Sequence, residues 1–140
     1  MSIEQQFFNE YRLMYRPFIN QINLVLEQYG LYSSQWGLLR ILLEQGPQSY
    51  GDIAHLLYIE KPSVTKLVQK LIEMELVIIG VGKDKREKIV HLTEQGENTI
   101  AMIQNELKPI LKKVLAGVSI GEIETAMHVL EKIRLNIKNG

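Results

Sequence analysis

Between Glu4 and Tyr29, the apolar residues Phe7, Tyr11, Met14, Phe18, Ile22 and Val25 recur at steps of three and four, and Phe8, Tyr15 and Ile19 widen the stripe. That period places them on one side of a long helix. Pro17 falls inside the pattern, where it removes a backbone donor and crowds the preceding turn, so a kink or break is expected nearby. Gly30 suits a left-handed cap at the end of the run. A second helix is expected from Ser33 or Ser34, capped by a hydroxyl, through Trp36, Leu38, Leu39, Ile41 and Leu42 to the stop at Gly46-Pro47. Ser49 and Asp52 have the spacing of a capping box and open a short third helix through Ile53, Ala54, Leu56 and Leu57. Pro62 fits the first turn of a fourth helix, whose buried stripe is Val64, Leu67, Val68, Leu71 and Ile72 and whose end lies near Glu75.

The period then changes. Leu76 to Ile79 and Lys88 to Leu92 are rich in β-branched residues and read as two strands of a hairpin, joined by a polar, glycine-bearing and basic tip. Thr93 is placed to cap a fifth helix, which carries Ile100, Ile103, Leu107, Ile110, Leu111, Val114 and Leu115 past Pro109, a second expected bend. Ser119 and Glu122 form another capping box, and Ile123, Met127, Leu130, Ile133 and Ile137 line a last helix.

Composition narrows what such a chain can do. Its 140 residues fit one ordinary domain, and 46% hydrophobic residues supply a core. The lack of cysteine excludes a disulfide scaffold, thiolate zinc sites and a thiol nucleophile. His55, His91 and His128 show no metal-ligand spacing, Glu73 and Glu75 point in different directions on a helix, and Gly80-Val81-Gly82-Lys83 lacks the remaining positions of a P-loop. No enzyme, metal or cofactor is expected. Apolar runs are too short to span a bilayer and no export signal is visible, so a cytoplasmic protein is expected. The net charge is zero, yet residues 61 to 88 hold seven basic against four acidic side chains, and three lysines without an acid fall between Lys61 and Lys70.

Three short helices followed by a hairpin give the order of a winged helix-turn-helix, in which the third helix of the set enters the major groove of double-stranded DNA and the hairpin tip reaches beside it. After the apolar stripe of that helix is assigned to the core, Ser63, Thr65, Lys66 and Lys70 remain as its polar positions, with Pro62 at its start. Lys66 is the candidate base reader, and Lys61 and Lys70 are the candidate phosphate contacts. Arg86 is expected to enter the minor groove, its guanidinium aligned by an ion pair with Asp84.

The run from Asp84 to Gly96 also resembles the wing of the MarR family of bacterial regulators, with Asp-x-Arg at Asp84 and Arg86 and Leu-Thr-x-x-Gly from Leu92 to Gly96. Pro62 to Leu71 is similar to that family's recognition helix. Around Glu75 and Ile79 the chain lacks the family's usual glycine and arginine. The resemblance spans the chain and implies a mainly helical fold with a small β-hairpin. In that reading residues 30–96 are the winged helix-turn-helix, and 1–29 and 97–140 supply the helices of a homodimer. It implies a repressor of a pseudo-palindromic operator, released by a small, often aromatic, effector for which Arg12, Tyr15, Trp36 and Tyr58 are candidates. A winged-helix module that binds protein instead of DNA is the alternative. Its exposed helix would be expected to carry apolar or aromatic anchors, which the lysine-bearing fourth helix lacks.

Overall fold

The computed structural model describes residues 1–84 and 86–140. The element order is α1 (Ile3–Glu27), α2 (Ser33–Gln45), β1 (Gln48–Ser49), α3 (Tyr50–Leu57), α4 (Lys61–Glu73), β2 (Val77–Val81), β3 (Lys88–Leu92), α5 (Glu94–Val114) and α6 (Ile120–Asn139). The chain divides into two compact units, Met1–Leu107 and Lys108–Gly140, and α5 passes from the first into the second.

In the first unit, α1 is unbroken through Pro17. The proline removes one hydrogen bond, to the carbonyl of Leu13, and Leu13 lies on a solvent-exposed stretch. The helix ends as the sequence suggests, on Gly30 at φ 72°, with the Leu31 amide returning to the Leu26 carbonyl at 3.0 Å. The start of α2 differs from expectation. Tyr32 occupies the cap position, and its backbone amide donates to the Gln35 side chain at 2.9 Å, so the buried Gln35 replaces the expected serine hydroxyl. Ser49 does cap α3, accepting from the Asp52 amide at 3.1 Å.

Helix α4 packs on α2 and α3. Val64, Val68 and Leu71 are fully buried, as are Leu38, Leu39 and Ile53 on the neighbouring helices and Val90 on β3. The hairpin is one part of a three-stranded antiparallel sheet of order β1-β3-β2, with Ile79 opposite Val90 and Gln48 opposite that same Val90 on the other side. The two-residue β1 ties the entrance of α3 to the wing.

Helix α4 stops with Glu75 at φ 63°, where the Glu75 amide donates to the Ile72 carbonyl at 2.9 Å and the Leu76 amide to the Leu71 carbonyl at 3.0 Å. The left-handed conformation costs a residue with a Cβ about 1–2 kcal/mol, and glycine loses about 0.5–1 kcal/mol of that advantage through its freer unfolded chain. Glu75→Gly is therefore expected to stabilise the protein by about 0.5–1 kcal/mol, read as a higher urea midpoint at unchanged slope.

In the second unit, the Ser119 and Glu122 capping box is complete: the Glu122 amide donates to Ser119 Oγ at 3.1 Å and the Ser119 amide to Glu122 Oε1 at 2.9 Å. Hydrogen bonds from Ser119 hold the Glu122 carboxyl below the usual carboxylate range. No residue of α6 is buried, although Met127, Leu130 and Ile137 are large and apolar. Pro109 is contained within an unbroken α5. Among the described residues, no helix is long and apolar enough to cross a membrane.

Candidate nucleic-acid interface

The burial pattern of α4 separates its two faces. Val64, Val68 and Leu71 face the core, whereas Lys61, Pro62, Ser63, Thr65, Lys66, Gln69 and Lys70 are all exposed. This follows from the helical period: once the apolar residues are buried against α2 and α3, the polar residues have the solvent side to themselves. Thr65 Oγ1 donates to the Lys61 carbonyl at 3.2 Å, so its proton is already used within the helix. What it can offer a base is its methyl group and an accepting lone pair.

The wing tip is built around Asp84. Its carbonyl accepts from the Glu87 amide at 2.8 Å, and its carboxylate accepts from the Arg86 backbone amide at 3.1 Å. This differs from the expected ion pair. Among the described residues, the ion pair within 4.0 Å is Arg40 with Glu44, and Asp84 acts on Arg86 by folding the backbone, as aspartate at the first position of a tight turn commonly does. Lys85, between them, lies outside the described residues. Gly82 closes the turn, donating to the Glu87 carbonyl at 2.9 Å.

The base of the wing is locked to the end of α4. Thr93 Oγ1 donates to the Glu75 carbonyl at 2.7 Å and accepts from the Gly96 amide at 2.9 Å, while the Thr93 amide donates to the Leu76 carbonyl at 3.1 Å. One side chain thus caps α5 and fixes the chain leaving α4. Gly96 allows this closeness, because a Cβ there would lie 2.2 Å from the Leu76 carbonyl oxygen. Thr93 and Gly96 were legible as a motif, but their reason is tertiary.

The structure also brings together residues that sequence spacing leaves apart. Lys61 at the start of α4 shares an open cleft of about 320 Å³ with Ser49, Tyr50 and Gly51 at the start of α3 and with Arg86, Glu87 and Lys88 on the tip side of the wing. Tyr50, Gly51 and Lys88 were not singled out by the sequence. Partial burial raises the Tyr50 hydroxyl above its ordinary pKa and keeps it a protonated donor.

The four effector candidates do not share one environment. Trp36 is 5% exposed and belongs to the core, whereas Tyr58 is 78% exposed, left-handed at φ 57° in the turn between α3 and α4. Arg12 and Tyr15 are exposed on α1, where Tyr15 stacks on Tyr11 with ring centroids 5.6 Å apart.

Comparison with known proteins agrees with this geometry. The sequence profile of the MarR family matches residues 31–78, which run from the entrance of α2 into β2. The chain is 34% identical over 114 residues to the HTH-type transcriptional regulator YwoH of Bacillus subtilis (strain 168), covering 81% of this chain and 83% of that one. It is 28% identical over 134 residues to the HTH-type transcriptional regulator SAV2265 of Staphylococcus aureus (strain Mu50 / ATCC 700699), covering 94% and 92% of the two. In structure it is similar to Staphylococcus aureus MarR in complex with salicylate and kanamycin, with a TM-score of 0.88, 27% identity, and coverage of 99% of this chain and 95% of that chain.

Proposed function

The chain belongs to the MarR family of winged helix-turn-helix transcriptional regulators, and from that premise we propose that it is a homodimeric repressor acting on a pseudo-palindromic operator. The observation that carries the DNA-binding geometry is the exposed face of α4, which offers lysines and hydroxyls and no large apolar anchor. In this reading α4 lies in the major groove, Lys66 donates to a guanine edge, Lys70 meets phosphate, and Ser63 and Thr65 fill the contact between them. Arg86 enters the adjacent minor groove, where its weakly hydrated guanidinium gains most from narrow A·T-rich steps.

Dimerisation is supported by what each unit leaves uncovered. The first half of α1 exposes Phe7, Phe8, Tyr11 and Met14, and α6 exposes Ile120, Met127, Leu130 and Ile137. Apolar surface on this scale marks an interaction site in a soluble protein, and a second copy covers it in a symmetric assembly. Two experiments test the reading together. Light scattering at micromolar concentration should give about twice 16.1 kDa. Footprinting on the DNA upstream of its own gene should protect two half-sites about 10 base pairs apart. A folded monomer, or protection of a single half-site, contradicts the dimeric repressor.

The wing adds a sharper expectation. Because Asp84 holds the Arg86 amide, Asp84→Ala should weaken operator binding although it deletes a negative charge near DNA. Asp84→Asn keeps the accepting oxygen and loses the charge, so it should bind at least as tightly as the parent. If alanine and asparagine weaken binding equally, the charge matters and the backbone role is wrong. For release from DNA, a small aromatic acid is the favoured effector class, since the similar Staphylococcus aureus MarR is solved with salicylate. Arg12 and Tyr15 on α1 and Tyr58 after α3 are the exposed candidates to meet it, and Trp36 is the buried one.

A further inference from the structure

We propose that the cleft between the start of α3, Lys61 and the tip side of the wing is a seat for one DNA backbone phosphodiester per subunit, held by Lys61 and Lys88 with Arg86 at its rim. This rests on the DNA-binding reading above and assigns a site within it. The first support is a local conflict. Lys61 is the first residue of α4, and a Cβ on Gly51 would lie 3.7 Å from its Cε and 3.9 Å from its Nζ, so the ammonium also rests against the first turn of α3. Helix N-termini carry partial positive charge, so one cation faces two ends that repel it. Among the described residues no carboxylate oxygen lies within 4.0 Å of that ammonium. An anion between the two helix ends turns this repulsion into attraction.

The second support is the rest of the lining. Lys61, Arg86 and Lys88 line the cleft with the single carboxylate of Glu87, which leaves an excess of positive charge there. Ser49 Oγ takes the Asp52 amide, so the amides of Tyr50 and Gly51, the first two of α3, have no partner within that helix. Gly51 lacks a side chain that would cover them. The third support is position. With α4 in the major groove and the wing tip in the next minor groove, the strand separating those grooves passes between them, and the cleft lies between α4 and the wing.

The test uses the full dimer and its footprinted operator, synthesised with a neutral methylphosphonate at one phosphate at a time. One position in each half-site should weaken binding of the parent roughly tenfold, as expected for a charge-assisted contact. At that same position the Lys61→Ala/Lys88→Ala protein should be insensitive. Both lysines are exposed, and Lys61→Ala removes a cation from a helix N-terminus, so folding should be unaffected and is checked by thermal melting. The double variant should also lose affinity for operator and unrelated duplex by the same factor, because phosphate carries no sequence. Equal sensitivity of parent and variant at every position overturns the seat while leaving operator binding standing, as does a changed preference for operator over unrelated duplex. Failure of the parent to bind DNA overturns the reading beneath it as well. In a final arm, inorganic phosphate replaces chloride at constant ionic strength. Displacement of the parent beyond that of the variant is expected, because the free anion competes with the phosphodiester for the same lysines; equal displacement of the two overturns the seat.

Discussion

Gly96→Ala is expected to destabilise the protein by about 2–4 kcal/mol, through overpacking of about 1–3 kcal/mol and loss of a helix cap of about 1 kcal/mol. The added Cβ would sit 2.2 Å from the Leu76 carbonyl oxygen and 3.1 Å from its carbon, and both belong to backbone. No rotamer change relieves such a contact. Either the first turn of α5 lifts away, breaking the Thr93 hydrogen bonds to the Glu75 carbonyl and the Gly96 amide, or the start of β2 moves off the core. Against a total stability of about 5–15 kcal/mol the loss is large. Urea unfolding checks it: a midpoint equal to the parent's means that α5 and β2 do not approach as described. Gly51→Ala is the control, since its Cβ would meet nothing nearer than 3.7 Å.

Lys66→Ala is expected to weaken operator binding by about 2–6 kcal/mol, because a base contact contributes about 1–3 kcal/mol and the dimer makes it twice. The discrimination between operator and unrelated DNA should fall by a comparable factor. Lys70→Ala, by contrast, should weaken both duplexes alike and reduce the salt slope by about one per subunit. The difference follows from position: both are exposed on α4, and Lys66 is a turn nearer the N-terminus, the end that the proposed docking puts into the groove.

How far these residues could be read in advance depended on whether their reasons are local. The apolar stripes and the Ser119–Glu122 and Ser49–Asp52 caps are local, and the structure places them as their spacing suggests. So is the exposed face of α4, which is what the buried stripe leaves over. Strand β1 carries no such signal, because two residues acquire strand character by pairing with Ile89 and Val90 about forty positions away. At Pro17 and Pro109 the helices continue, because each proline removes one bond among many. Trp36 reads more readily as core than as a ligand face, and it is 5% exposed. Asp84 and Arg86 were correctly joined by their spacing, but the sequence pairs their charges where the structure joins carboxylate to amide. The cleft of Lys61, Gly51 and Lys88 needed the sheet that brings β3 beside α3, and no periodicity contains it.

Fluorescence anisotropy of the labelled operator with the parent and the Lys66→Ala/Lys70→Ala variant tests most directly whether α4 reads DNA. Both substitutions are on the exposed face, so the variant should remain a folded dimer. Its operator affinity should fall at least a hundredfold, by the same base and phosphate contributions, and its salt dependence should flatten. An affinity and salt slope equal to the parent's would place the DNA contact on another surface.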